Sequence, residues 1–175
     1  MDSETRANKA YRLAFDFDQK YGECSQATLK ALQTVYGKED DDMFRAIGAL
    51  AGGGGARCDG SCGAYCAAIF FMGLFTGRNY DHLDANPRDP LGHVQRDQLF
   101  ALTDKLYQKF IDTYGSINCS DIHRKLYGRA FYLRDSDEID KFLAQGGHSE
   151  KGGPGVCGNA ARWAVEEIDN FLEKG

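Results

Sequence analysis

Six cysteines, at positions 24, 58, 62, 66, 119 and 157, are the residues of this 175-residue chain with the most chemistry to offer. Four of them share a local setting: a small or turn-forming segment, then the thiol, then a helical stretch. They read Gly22-Glu23-Cys24, Gly60-Ser61-Cys62, Ile117-Asn118-Cys119 and Gly155-Val156-Cys157. A thiol at a helix N-terminus faces unpaired backbone N–H groups and the positive end of the helix dipole, which favour the thiolate. Thiolates bind metals and attack disulfides. Four such starts converging at one end of a bundle would make a four-cysteine site whose N–H groups also hydrogen-bond the sulfurs. A free cysteine also fills core space as a small hydrophobe, and any one of the four could do only that. The same placement four times is harder to attribute to packing. The chain has no CxxC pair, so thioredoxin, zinc-ribbon and covalent haem signatures are absent, and any site is assembled from distant segments.

Cys58 and Cys66 flank Cys62 at four-residue intervals, and either could be a spare ligand or a resolving thiol. Cys66, beside Ala67, Ala68 and Ile69, reads as a buried thiol; Cys58, between Arg57 and Asp59, reads as the more exposed and reactive one. His123 follows Cys119 by four residues and could face the same site as a ligand or proton carrier, although a solvated histidine on a short helix is the plainer reading. His82, His93 and His148 carry no pattern. Gly52 to Gly55 have the wrong order for a phosphate or dinucleotide loop and read as a flexible linker that lets backbone approach the cysteines.

The elements that must position these thiols are helices. Apolar residues recur at three- and four-residue spacings over about 4–20, 25–36, 43–51, 91–114 and 158–172, with short helices after Ser120 and Ser136. Residues 62–75 are apolar or small on every side, too short to span a bilayer, and read as a central buried helix. Turn formers mark 76–90 as a surface loop, and five glycines with Pro154 mark 146–155 as a flexible connection. No stretch alternates like a strand. The expectation is an all-α helical bundle, a single domain over 1–175, built around the central helix.

Composition narrows the function classes. Lys+Arg 21 against Asp+Glu 26 gives a net charge of −5, and with no long basic cluster this argues against nucleic acid as a partner. The N-terminal stretch shows neither a signal peptide nor an anchor, so membrane insertion is not expected and the cytoplasm is. In that reducing compartment, six cysteines point to metal, cluster or redox chemistry before a disulfide framework. The apolar face carrying Phe70, Phe71 and Phe75 fits a homodimer about as well as a monomer whose other helices cover it.

Cys24 in GECSQA, the segment GGGGARCDGSCGAYCA, Cys119 in GSINCSDI and Cys157 before the last helix resemble a bacterial and archaeal family. It is named for its C, GCAxxG, C, C pattern and described as redox-active. The resemblance covers roughly residues 10–172, although the chain reads Cys62-Gly63-Ala64 where the label has Gly-Cys-Ala. It implies that the four family cysteines are Cys24, Cys62, Cys119 and Cys157, with Cys58 and Cys66 outside the set. Related domains in split-Soret cytochromes imply an iron–sulfur centre. The leading expectation is an electron-transfer protein with a two-iron cluster and an unidentified redox partner protein. The alternatives are disulfide cycling among the same thiols and a structural four-cysteine zinc domain.

Overall fold

Small residues set how closely the main helices approach. A computed structural model describes residues 2–82 and 90–174 of the chain. Helix α1 (Ser3–Tyr21) buries Ala7, Ala10 and Ala14, and α8 (Gly153–Leu172) buries Ala160, Ala161 and Ala164. These two helices pack along most of their length, with Gly158 seated where a Cβ would stand 2.7 Å from the Tyr11 ring. Helix α2 (Cys24–Tyr36) lies on α1, α8 and α4 (Gly63–Thr76), and α4 in turn packs on α8 and α5 (Pro90–Tyr114). Three shorter helices, α3 (Asp41–Ile47), α6 (Cys119–Tyr127) and α7 (Ser136–Ala144), complete the fold. The fold is all-α: among the described residues there is no strand, only one isolated bridge between Ser61 and Asn118.

The central helix is largely as expected. Ala64, Ala67, Ala68, Phe71 and Met72 of α4 are buried, and Phe71 and Phe75 pack on Tyr36 at centroid distances of 5.6 and 5.2 Å. Phe70 and Leu74, four residues apart on the other side, are exposed, so the neighbouring helices leave one face of α4 uncovered. Leu102, Leu106, Phe110 and Tyr114 form the buried stripe of α5. Trp163 sits edge-on to Phe110 at 5.5 Å. Of the loop expected over 76–90, positions 83–89 lie outside the described residues.

Two expectations change. The last helix starts at Gly153, with Pro154 in its first turn, where the missing N–H costs nothing, so Cys157 lies one turn inside α8. The preceding glycine-rich stretch is a hydrogen-bonded turn: Gly147 N–H donates to Phe142, Gly152 N–H to Ser149 and Gly153 N–H to Gly147. Among the described residues, no helix is long and apolar enough to cross a membrane.

One half-buried polar cluster ties three helices together. The Arg6 guanidinium of α1 donates to both Asp169 oxygens of α8 at 2.6 Å, and the Tyr36 hydroxyl of α2 donates to Asp169 Oδ1 at 2.8 Å. Removing the carboxylate takes two charge-assisted hydrogen bonds from the half-buried Arg6 guanidinium and one from the Tyr36 hydroxyl. Asp169→Ala is expected to cost about 2 kcal/mol, read as a lower urea midpoint with an unchanged slope.

Candidate redox and metal site

The two chain segments that carry Cys62 and Cys119 are joined by a pair of backbone hydrogen bonds. Cys62 N–H donates to Ile117 C=O at 2.8 Å and Cys119 N–H donates to Gly60 C=O at 2.9 Å. Cys62 is thereby the cap residue of α4, and Cys119 the first residue of α6, with Asn118 capping that helix through its side chain. Cys24 opens α2 after Glu23, whose φ of 60° makes the sharp entry. Gly63 stands where a Cβ would lie 2.7 Å from the Cys24 sulfur, so glycine at the start of α4 is what admits that thiol.

The glycine run is an ordered turn. Gly52 to Ala56 all have positive φ, from 56° to 87°, a left-handed turn that four glycines make cheap. It presses backbone against the thiols: Gly52 N–H donates to Cys24 Sγ at 3.5 Å, and a Cβ on Gly53 would lie 2.8 Å from Cys119 Cβ and 3.0 Å from Cys58 Cα.

These elements surround a cavity of about 460 Å³. Cys24, Cys62 and Cys119 line it, together with His123, Asp18 and His148 and an apolar wall that includes Ile122, Leu126 and Phe142. Cys157 is fully buried and does not line the cavity; its thiol is directed at the Cys24 carbonyl oxygen at 3.7 Å. Cys66 is half-buried on the outer side, with its sulfur 4.0 Å from the Ser61 carbonyl. All six cysteines are free thiols.

Cys58 and His123 depart from the sequence reading. Cys58 is 2% exposed, because the turn folds it inward beside Cys119, and His123 is 8% exposed. Its ring stacks on Phe142 at 5.4 Å and meets Tyr127 and Phe131 edge-on. His123 Nε2 lies 3.8 Å from Cys119 Sγ, and the ligand atoms of Cys58, Cys119 and His123 all lie within 4.8 Å of one another.

Asp18 and His148 were not singled out from sequence. Asp18 is 1% exposed, at the end of the stripe Ala7, Ala10, Ala14, and a carboxylate on a core stripe is the signal that could have found it. His148 Nδ1 lies 3.4 Å from Asp18 Oδ2.

Burial outweighs the helix starts in setting the thiol chemistry. Burial, with the neighbouring Cys62 and Asp18 charges, raises the Cys24 pKa, and burial pushes Cys62 up to about 11 despite nearby N–H groups of Ala64 and Tyr65. Cys157 is raised by burial and by Asp18. Cys119 is raised by its contact with Cys58 and then by burial, while the same contact lowers Cys58. The metal-free site therefore holds mainly neutral thiols, which are poor nucleophiles.

A family model described as "Putative redox-active protein (C_GCAxxG_C_C)" matches residues 22–170. No curated protein and no solved structure matches the chain.

Burial pushes the His123 pKa down to about 4, so in the window between that value and the unfolded value near 6.5 only the unfolded chain takes up the proton. The metal-free protein is expected to lose about 2 kcal/mol of stability between about pH 7 and pH 5. His148, raised by the neighbouring Asp18 carboxylate, acts with the opposite sign and above that window. Urea unfolding at the two pH values checks this, and His123→Phe is expected to lack the loss.

Proposed function

The chain belongs to the C_GCAxxG_C_C family, and we propose that it is a redox protein whose cavity holds an iron–sulfur centre of the two-iron kind on Cys24, Cys62, Cys119 and Cys157. The observation that carries this reading is that three of these thiols, from three different helix starts, line one cavity and are all free. The donor set suits iron, because thiolates are soft ligands and iron–sulfur centres are held by cysteine. Cys157, one layer behind Cys24, is the ligand that must leave the Cys24 carbonyl to join them.

When bound, such a centre supplies one-electron transfer. The chain's own residues prepare for it. Buried thiols with raised pKa values give up their protons when iron replaces them, and the N–H of Gly52 already points at the Cys24 sulfur. The apolar wall from Ile122 to Phe142 keeps the dielectric low around the sulfurs. The exposed rim residues Tyr21, Ile139 and Leu143 offer a place for a redox partner protein. Disulfide cycling is the weaker reading, since the pKa values of Cys24, Cys62, Cys119 and Cys157 are raised, which leaves few thiolates to attack.

Anaerobic purification followed by absorption spectroscopy and iron and acid-labile sulfide analysis tests the proposal. The expected result is a coloured protein with about two iron and two sulfide per chain, lost in Cys62→Ser and retained in Cys66→Ser. A colourless, folded protein without iron even after anaerobic reconstitution would sink it.

A further inference from the structure

Within the site, one group of side chains already has the spacing of ligands around a single ion. Cys58, Cys119 and His123 bring two sulfurs and one imidazole nitrogen within 4.8 Å of one another, and all three residues are buried. Around a tetrahedral zinc ion, bonds of about 2.3 Å to sulfur and 2.0–2.1 Å to nitrogen put neighbouring ligand atoms about 3.6–3.8 Å apart. The Cys119 Sγ to His123 Nε2 distance is 3.8 Å, so that edge is already in place.

The supports of the three ligands come from independent parts of the fold. Cys119 and His123 are four apart on α6 and share a face. Cys58, at a φ of 61°, is held by its N–H bond to Gly52 C=O at 2.7 Å, and Gly53 packs against both Cys58 and Cys119. The His123 ring is fixed by Tyr127, Phe131 and Phe142, and its Nδ1 is buried with no hydrogen-bond partner. An imidazole whose one nitrogen is unpartnered and whose other nitrogen meets only a thiol at 3.8 Å is poorly satisfied for a buried group.

We propose that Cys58, Cys119 and His123 are a binding site for one thiophilic divalent cation, zinc in kind, with its fourth position open to the cavity. Two thiols and an imidazole, with no carboxylate, select a borderline-soft ion over calcium or magnesium. Binding converts both thiols to thiolates and releases two protons, leaving a zinc–dithiolate of no net charge, the cheapest charge state to bury. Cys119 and His123 line the cavity and Cys58 does not, so the cavity is the side from which a water or other fourth ligand reaches the ion. One consequence rests on the proposed iron–sulfur centre: Cys119 is common to both ligand sets, so the ion and the cluster exclude each other.

The test uses the full chain, stripped of metal under reducing, anaerobic conditions and titrated with Co²⁺, then with Zn²⁺ in competition. One Co²⁺ per chain is expected, with thiolate-to-cobalt absorption and the intense visible bands of tetrahedral cobalt, displaced by Zn²⁺. Cys58→Ser and His123→Gln should each weaken binding beyond the roughly 10–100-fold that loss of an outer-shell partner costs, and Cys24→Ser and Cys157→Ser should leave it within that range. X-ray absorption of the zinc-loaded, unsubstituted chain should show two sulfurs and one imidazole, a readout that holds even if a variant fails to fold. Four sulfurs, or cobalt binding that depends on Cys24 and Cys157 but not on Cys58, would overturn the site, as would a folded chain that binds no Co²⁺. Iron and sulfide content is measured separately, so failure of the cluster reading is seen independently.

Discussion

Two hydrogen bonds between the segments at Ser61 and Asn118 fix where the rest of the site can be. They make Cys62 the start of α4 and Cys119 the start of α6 in one stroke, although 57 positions separate them in the chain. The glycine turn then has one way to close. Gly60 and Cys58 both donate back into it, to Gly53 and Gly52, and this brings the turn's backbone against Cys24 and Cys119. A side chain at Gly53 or Gly63 would meet Cys119 or the Cys24 sulfur directly, so those two glycines are spacers for the thiols as much as turn formers. Within the 57 positions so closed, α4 and α5 pack on each other, which helps offset the entropy of bringing the ends together.

The cavity is also where helix dipoles add. The first residues of α2, α6 and α8 and the cap residue of α4 all contribute to its wall, so four helix N-termini border one space. That field favours anions, yet the thiols have raised pKa values. The resolution is distance and dielectric: a dipole end contributes its partial charge only over the first turn, whereas full burial penalises a thiolate wherever it points. Preorganised positive ends and neutral thiols are compatible once a cation takes the protons' place.

Helix count and the α5 stripe were legible from periodicity, because 3.6-residue spacing is a local property; α4, apolar or small on every side, showed no face, and its exposed side at Phe70 and Leu74 was not legible. The start of α8 was not, since the five glycines over 146–155 look like a linker until Pro154 is seen to occupy a first-turn position that suits it. At the site, the three wall cysteines could be read from their helix starts. Cys58 and His123 could be read as candidates, but their burial could not: charged neighbours at Arg57 and Asp59 suggest exposure, and only a left-handed turn, which sequence hides, rotates the thiol inward. His123 depends on Phe131 and Phe142, contacts between α6 and segments beyond it that no spacing rule encodes.

Asp18 shows how the charges of this site are balanced. Its carboxylate raises the pKa of Cys24, Cys62 and Cys157, so on its own it opposes thiolates. Both its oxygens are buried without a hydrogen bond; His148 Nδ1 lies 3.4 Å from one of them, and Gly153 at the start of α8 leaves room for it. A carboxylate held among thiols disfavours their ionisation, since each lost proton would add a second negative charge nearby. The same carboxylate attracts any cation that enters. Asp18 thus biases the cavity twice in one direction, against bare thiolates and toward thiolates paired with metal.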